Sequence, residues 1–97
     1  MEFSQIKSEL AEKVKTIAPI GKKLKFNLDD DVLLIDGSGS ENMLTEDDVD
    51  ADCTVIMSKE TYSKLQQKKI KPMIATLTGK LKVKGDLGLA RKLKELM

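Results

Sequence analysis

The stretch over residues 79–97 changes its hydrophobic period once, and this change constrains the fold more than any other feature. Leu81 and Val83 alternate with lysines, which predicts a strand with one buried face. After Asp86, a good N-cap residue, apolar residues recur every three or four positions, as they do along one stripe of a helix. We therefore expect a strand, a tight corner and an amphipathic helix over 87–97 whose apolar stripe must be covered.

The same patterns place the upstream elements. Ser58 is a good N-cap for one helix, and Pro72 is favoured in the first turn of another, whose buried side would be formed by three apolar residues. The predicted segments are a helix at 3–17, strands at 23–28, 32–35, 42–44 (weak) and 53–57, and helices after Ser58 and at Pro72, the latter burying Met73, Ile74 and Leu77. This order predicts one α+β domain over residues 1–97 with a single, mostly antiparallel sheet.

Composition limits the compartment and the class of protein. No apolar run is long enough to span a bilayer, and the polar N-terminus does not have the pattern of a secretory signal. The single cysteine, Cys53, cannot form an internal disulfide and fits a reducing compartment. We therefore expect a protein of a reducing compartment.

Charge is divided strongly between two parts of the chain. Residues 29–52 carry ten acidic groups and no basic one, whereas residues 59–97 carry eleven basic and three acidic groups. This division favours one surface that attracts anions, although two solvated surfaces that keep the protein soluble would give the same pattern. Nucleic acid is not expected as a partner, because the lysines alternate with core positions and have no exposed aromatic residues beside them for stacking.

The residues needed for catalysis or metal binding are missing. The sequence has no histidine, and Cys53 lies in the middle of a predicted strand on its apolar side, where a thiol is inert. An EF-hand alignment on Asp36 places Val32 and Leu34 at ligand positions, so the acidic tract does not match a calcium loop. The segment 85–90 lacks the first glycine of a dinucleotide fingerprint. We expect no enzyme activity, no cofactor and no metal site.

Three segments resemble the sterol carrier protein 2 family: Ala51-Asp-Cys-Thr-Val-Ile-Met57, Ile70-Lys-Pro72, and the run from Thr78-Gly-Lys-Leu-Lys-Val-Lys to Leu93. The resemblance implies a five-stranded sheet with helices packed on one face, enclosing an apolar tunnel. It also implies a non-catalytic intracellular module that binds fatty acids, fatty acyl-CoA or sterol-like lipids and transfers them. The implied partners are the lipid ligand, an anionic membrane in transient contact, and a separate enzyme.

The resemblance also implies which residues line the tunnel. These positions come from the strands and from the helix at Pro72, with the last helix as a lid that is held at one end. They are Phe26, Met57, Leu65, Met73, Ile74, Leu77, Leu81, Val83, Leu89, Leu93 and Met97. Two positions depart from the family pattern: Thr78 replaces a frequent glutamine, and residues 74–77 lack an aromatic pair, so the cavity is expected to differ in shape.

A second hypothesis follows from the residues alone. The apolar stripe of the last helix would serve equally well to dock a packed, ligand-free domain on a partner enzyme.

The C-terminal Glu95-Leu96-Met97 is not the small-basic-Leu tripeptide of peroxisomal relatives of the resembled family. Its absence favours the cytoplasm.

Overall fold

A computed structural model describes residues 2–96, apart from the side chain of Leu93. Within this range, five helices and five strands follow the predicted order, with one change at the C-terminus. In chain order they are α1 (Phe3–Val14), β1 (Lys23–Leu28), β2 (Asp31–Asp36), β3 (Met43–Thr45), β4 (Cys53–Met57), α2 (Lys59–Gln66), α3 (Pro72–Leu77), β5 (Leu81–Gly85), α4 (Leu87–Ala90) and α5 (Leu93–Leu96).

One sheet contains all five strands, in the order β3-β2-β1-β4-β5. The pairings β1–β2, β2–β3 and β4–β5 are antiparallel, and only β1–β4 is parallel. The parallel pair sets Leu24 opposite Cys53 and Leu28 opposite Met57. The prediction of a mostly antiparallel five-stranded sheet is therefore confirmed, and the first and second halves of the chain meet at its centre.

The core lies between the sheet and the helices, which pack on one face as expected. Along β1, Leu24, Phe26 and Leu28 are fully buried and alternate with half-buried polar residues. They pack in one cluster with the buried stripe of α1 and with residues from every helix of the second half. That cluster contains Ile6, Leu10, Val14, Leu24, Phe26, Leu28, Leu33, Ile35, Cys53, Val55, Met57, Tyr62, Leu65, Ala75, Leu81, Leu89 and Leu96.

The acidic connection between β3 and β4 passes over the opposite face of the sheet. Lys25 points away from the helices, because it alternates with Leu24 and Phe26, and its ammonium group lies 2.9 Å from Asp48. Leu34 pairs with Lys25 across β1 and β2 and is buried outside the main core. The acidic tract therefore forms the connection that crosses the sheet from the edge strand β3 to β4.

Two predicted boundaries are wrong. The first helix ends at Val14 instead of residue 17, and the expected C-terminal helix is divided into α4 and α5. Around the division the backbone bonds run three residues back, as in Lys92 N–H to the Leu89 carbonyl and Glu95 N–H to the Lys92 carbonyl. A segment this short, with Gly88 inside it, is a weak helix former and tightens readily into such turns.

Gly85 provides the sharpest test of this fold. It has φ +93°, and a Cβ added there would lie 2.4 Å from the Asp52 carbonyl oxygen, beside the start of β4. We predict that Gly85→Ala lowers the free energy of unfolding by about 3 kcal/mol, because both the backbone and the contact are strained. Urea denaturation measures this change.

Gly39→Ala is the matched control, since a Cβ at Gly39 meets no heavy atom within 4 Å. Its free energy of unfolding should change by less than about 0.5 kcal/mol. Equal stability of the two variants would show that Gly85 does not hold the β4–β5 edge in the described conformation.

Candidate functional site

Helix α3 turns its apolar residues outward, so the prediction that Met73, Ile74 and Leu77 form its buried side is wrong. Their exposed fractions are 73%, 47% and 76%, whereas Ala75 is fully buried. The small Ala75 side chain allows the helix to sit close to the core, and Met73 and Leu77 then lie on the far side of the helix. The apolar spacing correctly predicts a helix, but the predicted buried side of this helix is wrong.

An apolar pocket of about 230 Å³ opens between α2, α3 and α5. Leu65, Ile70 and Pro72 supply its apolar wall, and three lysine side chains join them in its lining. Lys68 and Lys71 come from the connection between α2 and α3, and Lys94 comes from α5 on the other side. The pocket thus combines an apolar interior with convergent positive charge.

The end of α2 positions the first of these lysines. The N–H of Lys69 donates to the Lys64 carbonyl and that of Lys68 donates to the Leu65 carbonyl, which is the Schellman pattern of a helix C-terminus. Lys68 occupies the left-handed position of this motif, with φ +58°, where glycine is usual. This strained backbone conformation destabilises the fold by on the order of 1 kcal/mol. The strained residue, Lys68, is part of the pocket lining.

The other side of the pocket is held by Gln66. Its Nε2 donates to the Tyr62 hydroxyl at 2.9 Å and to the Leu96 carbonyl at 3.1 Å. Its Oε1 accepts a hydrogen bond from the ammonium group of Lys13 in α1. Gln66 therefore joins α1, α2 and α5, and it fixes the segment that carries Lys94. No pattern in the sequence predicts this connection, because a single glutamine near the end of a helix is most often exposed.

The charge around the pocket is positive and uncompensated. Within residues 2–96, neither Lys68, Lys71 nor Lys94 takes part in a salt bridge. No acidic residue occurs in the sequence between Glu60 and Asp86. An anionic group at the mouth of the pocket would consequently meet three cations that form no salt bridge with residues 2–96.

The predicted lining residues fall into five groups. Leu65 lines the pocket, and Val83 is half-buried at the edge of the core. Met73, Ile74 and Leu77 are exposed outside the pocket, while the side chain of Leu93 and all of Met97 lie outside the described part of the chain. The remaining four, which are Phe26, Met57, Leu81 and Leu89, are buried in the core.

The pocket residues that sequence reasoning missed are Lys68, Ile70, Lys71, Pro72 and Lys94. The Ile70-Lys-Pro72 segment contributes to the family resemblance, but its sequence does not indicate that it lines a pocket. Its placement depends on how α2 and α3 turn against each other, and hydrophobic periodicity carries no information on that angle.

The described residues offer little for catalysis. Cys53 is fully buried and unpaired, and burial raises the pKa of its thiol, which disfavours the reactive thiolate. Among residues 2–96, no cluster of three or more histidine, cysteine, aspartate or glutamate side chains could hold a metal ion. No helix in that range combines the length and the apolar character needed to cross a bilayer.

Comparison with known proteins identifies the family. The SCP-2 sterol transfer family matches the chain over residues 3–97. The chain belongs to this family. Human sterol carrier protein 2 is 39% identical over 59 residues, and hydroxysteroid dehydrogenase-like protein 2 of Danio rerio is 44% identical over 52 residues. These matches cover 61% and 54% of the chain but only 11% and 12% of those proteins, so the chain spans a small part of their length.

Solved structures of sterol carrier proteins share the fold. The crystal structure of sterol carrier protein 2 like 2 from Aedes aegypti has a TM-score of 0.79 at 19% identity and covers 97% of this chain and 94% of that one. The solution structure of Aedes aegypti sterol carrier protein 2 in complex with palmitate has a TM-score of 0.76 at 18% identity, with both chains fully covered. The α+β family fold expected from the sequence is confirmed.

The buried hydroxyl beside Gln66 predicts a pH dependence of stability. Burial raises the pKa of Tyr62 from 10.0 to about 12, against the opposing effect of the Gln66 hydrogen bond. Below pH 10 the phenol is neutral in both states, whereas above it the unfolded chain releases this proton first and stability falls. By about pH 11 the loss attributable to Tyr62 should reach about 1 kcal/mol.

The variant Tyr62→Phe lacks this loss and serves as the comparison. Near neutral pH it should be less stable by about 1 kcal/mol, because it gives up the hydrogen bond to Gln66. Denaturation of both proteins from about pH 8 to about pH 11 should therefore show the wild-type advantage disappear. A constant difference across this range would contradict the burial of the phenol.

Proposed function

We propose that this chain is a non-catalytic lipid-binding and lipid-transfer module whose ligand is an anionic amphiphile, a fatty acid or fatty acyl-CoA. The observation that carries the proposal is the apolar pocket lined by Lys68, Lys71 and Lys94. Membership of the SCP-2 sterol transfer family and the palmitate complex of the Aedes aegypti protein support it. A sterol would use the apolar wall but would leave the three ammonium groups without a partner.

The energetics favour an acyl chain with a charged end. Each methylene group removed from water contributes about 0.8 kcal/mol, so partial burial of a chain already gives useful affinity. Exposed ion pairs add less, about 0.2–1 kcal/mol each. The apolar wall therefore supplies most of the affinity, while the lysines select a carboxylate or phosphate over a neutral head group.

Entry of a long chain requires the pocket to widen. Its volume of about 230 Å³ is below the roughly 300–1,000 Å³ of typical ligand sites. The surrounding elements are suited to such movement, because α3 contributes one fully buried residue, Ala75, and α4 and α5 are four residues each. Widening toward Met57 and Leu81 beneath the helices would bring the predicted lining residues into contact with the chain.

The competing hypothesis of a ligand-free docking module has less support. It requires the apolar stripe of the last helix to be free for a partner enzyme. Leu89 and Leu96 instead pack in the chain's own core, where their exposed fractions are 6% and 0%. Lipid binding is therefore the better supported function, and docking on a separate enzyme is the second candidate. The free Cys53 supports a reducing compartment such as the cytoplasm.

Two ligands of equal chain length test the proposal. We predict that the protein binds dodecanoate about tenfold more tightly than dodecanol near neutral pH, because only the acid pairs with the lysines. The double variant Lys71→Gln with Lys94→Gln should lose this preference while its affinity for the alcohol stays the same. Calorimetric titration gives both affinities, and native mass spectrometry reports lipid that co-purifies.

A matched control uses two lysines away from the pocket. Lys82 and Lys84 are exposed on β5 and point to the sheet face opposite the helices, so their replacement by glutamine should leave the preference intact. Equal loss in both double variants would show that the preference arises from net charge. No binding of either ligand by the wild type, and no co-purified lipid, would overturn the proposal.

A further inference from the structure

Helix α3 presents an apolar face that nothing in the described chain covers. Met73, Ile74 and Leu77 are exposed, and they lie within a single short helix. Large apolar side chains that are exposed singly are ordinary, but a contiguous group of them marks an interaction surface. The three residues are called the α3 face below.

Positive charge flanks the α3 face on both sides. Lys68, Lys69 and Lys71 precede the helix, Lys80 follows it, and no acidic residue occurs between Glu60 and Asp86. This arrangement matches a surface that is anionic outside and apolar inside, because each lysine near an anionic bilayer contributes attraction while the apolar residues enter its boundary. A second copy of the chain is a poorer match, since two such lysine groups would repel each other.

The α3 face also adjoins the entrance of the lipid pocket. Lys71 and Pro72 line the pocket and form the beginning of α3, so the first exposed residue, Met73, follows the pocket wall directly. The exposed Leu87 does not belong to this surface, because the whole length of β5 separates it from the end of α3.

We propose that the α3 face docks on an anionic membrane surface, with Met73, Ile74 and Leu77 inserted at the head-group boundary and the flanking lysines on lipid phosphates and carboxylates. Docking in this orientation sets the pocket mouth against the bilayer, so that an acyl chain passes between them with little exposure to water. The inference rests on the proposed lipid-binding function and adds the surface that would meet an anionic membrane.

Co-sedimentation with vesicles tests the docking surface. The wild type should bind vesicles of phosphatidylserine and phosphatidylcholine in equal amounts more tightly than vesicles of phosphatidylcholine alone, and added salt should weaken this binding. The double variant Met73→Ser with Leu77→Ser should bind the anionic vesicles at least about tenfold more weakly. Its unfolding midpoint in urea should match the wild type, because both side chains are exposed.

Control variants show whether vesicle binding depends on the position of the apolar and lysine residues at α3 or only on their number. Leu87→Ser removes an equally exposed apolar residue away from α3 and should retain binding. Lys69→Gln with Lys80→Gln should weaken binding about tenfold or more, whereas Lys82→Gln with Lys84→Gln on the sheet should have a much smaller effect. Undiminished binding by the Met73 and Leu77 variant, or equal losses in all variants, would overturn the assignment.

Two further readouts separate this inference from the proposed function. Dodecanoate binding without vesicles reports the pocket alone, so a wild type that binds vesicles but no dodecanoate would refute lipid binding and leave docking intact. Loss of dodecanoate binding in the Met73 and Leu77 variant would place these side chains in the lipid site and overturn docking. Light scattering that shows a wild-type dimer and a monomeric variant would assign the α3 face to self-association and also overturn it.

Discussion

The parallel pairing of β1 with β4 is the interaction on which the rest of the structure depends. Among residues 2–96 it is the only strand pairing that joins the first half of the chain to the second, and it runs from Leu24 opposite Cys53 to Leu28 opposite Met57. A parallel pair cannot be closed by a hairpin, so the chain must cross the sheet between β3 and β4. The acidic tract makes this crossing and is tied to the sheet through Lys25 and Asp48.

Sequence patterns predicted this framework because α1, β1, β4 and β5 each bury one face. The alternation in β1, β4 and β5 and the stripe of α1 gave the elements and their buried residues nearly to the boundary. The Asp86 and Ser58 caps were also foreseen, and each side chain accepts the expected backbone N–H. These features are local, so a short window of sequence contains the information that determines them.

The pocket could not be predicted in the same way, because it depends on how short helices turn against one another. Helix α3 is six residues long and contacts the core through Ala75. The spacing of its apolar residues does not determine which face of such a short helix is buried. Gln66 gave no pattern at all, although it bonds to Tyr62 and Leu96 and so holds α5 beside the pocket. Resemblance to a family suggested a lipid cavity, and the structure shows an apolar pocket with three lysines in its lining.

Lipid binding of the proposed kind requires that an acyl chain enters between α2, α3 and α5. Methyl NMR of protein with labelled leucine, isoleucine and valine side chains, titrated with dodecanoate, tests it most directly. We expect saturable shifts and ligand cross-peaks at Leu65 and Ile70, which line the pocket, and no change at Leu34 on the opposite face of the sheet. Cross-peaks at Leu34, with Leu65 and Ile70 unchanged, would contradict it.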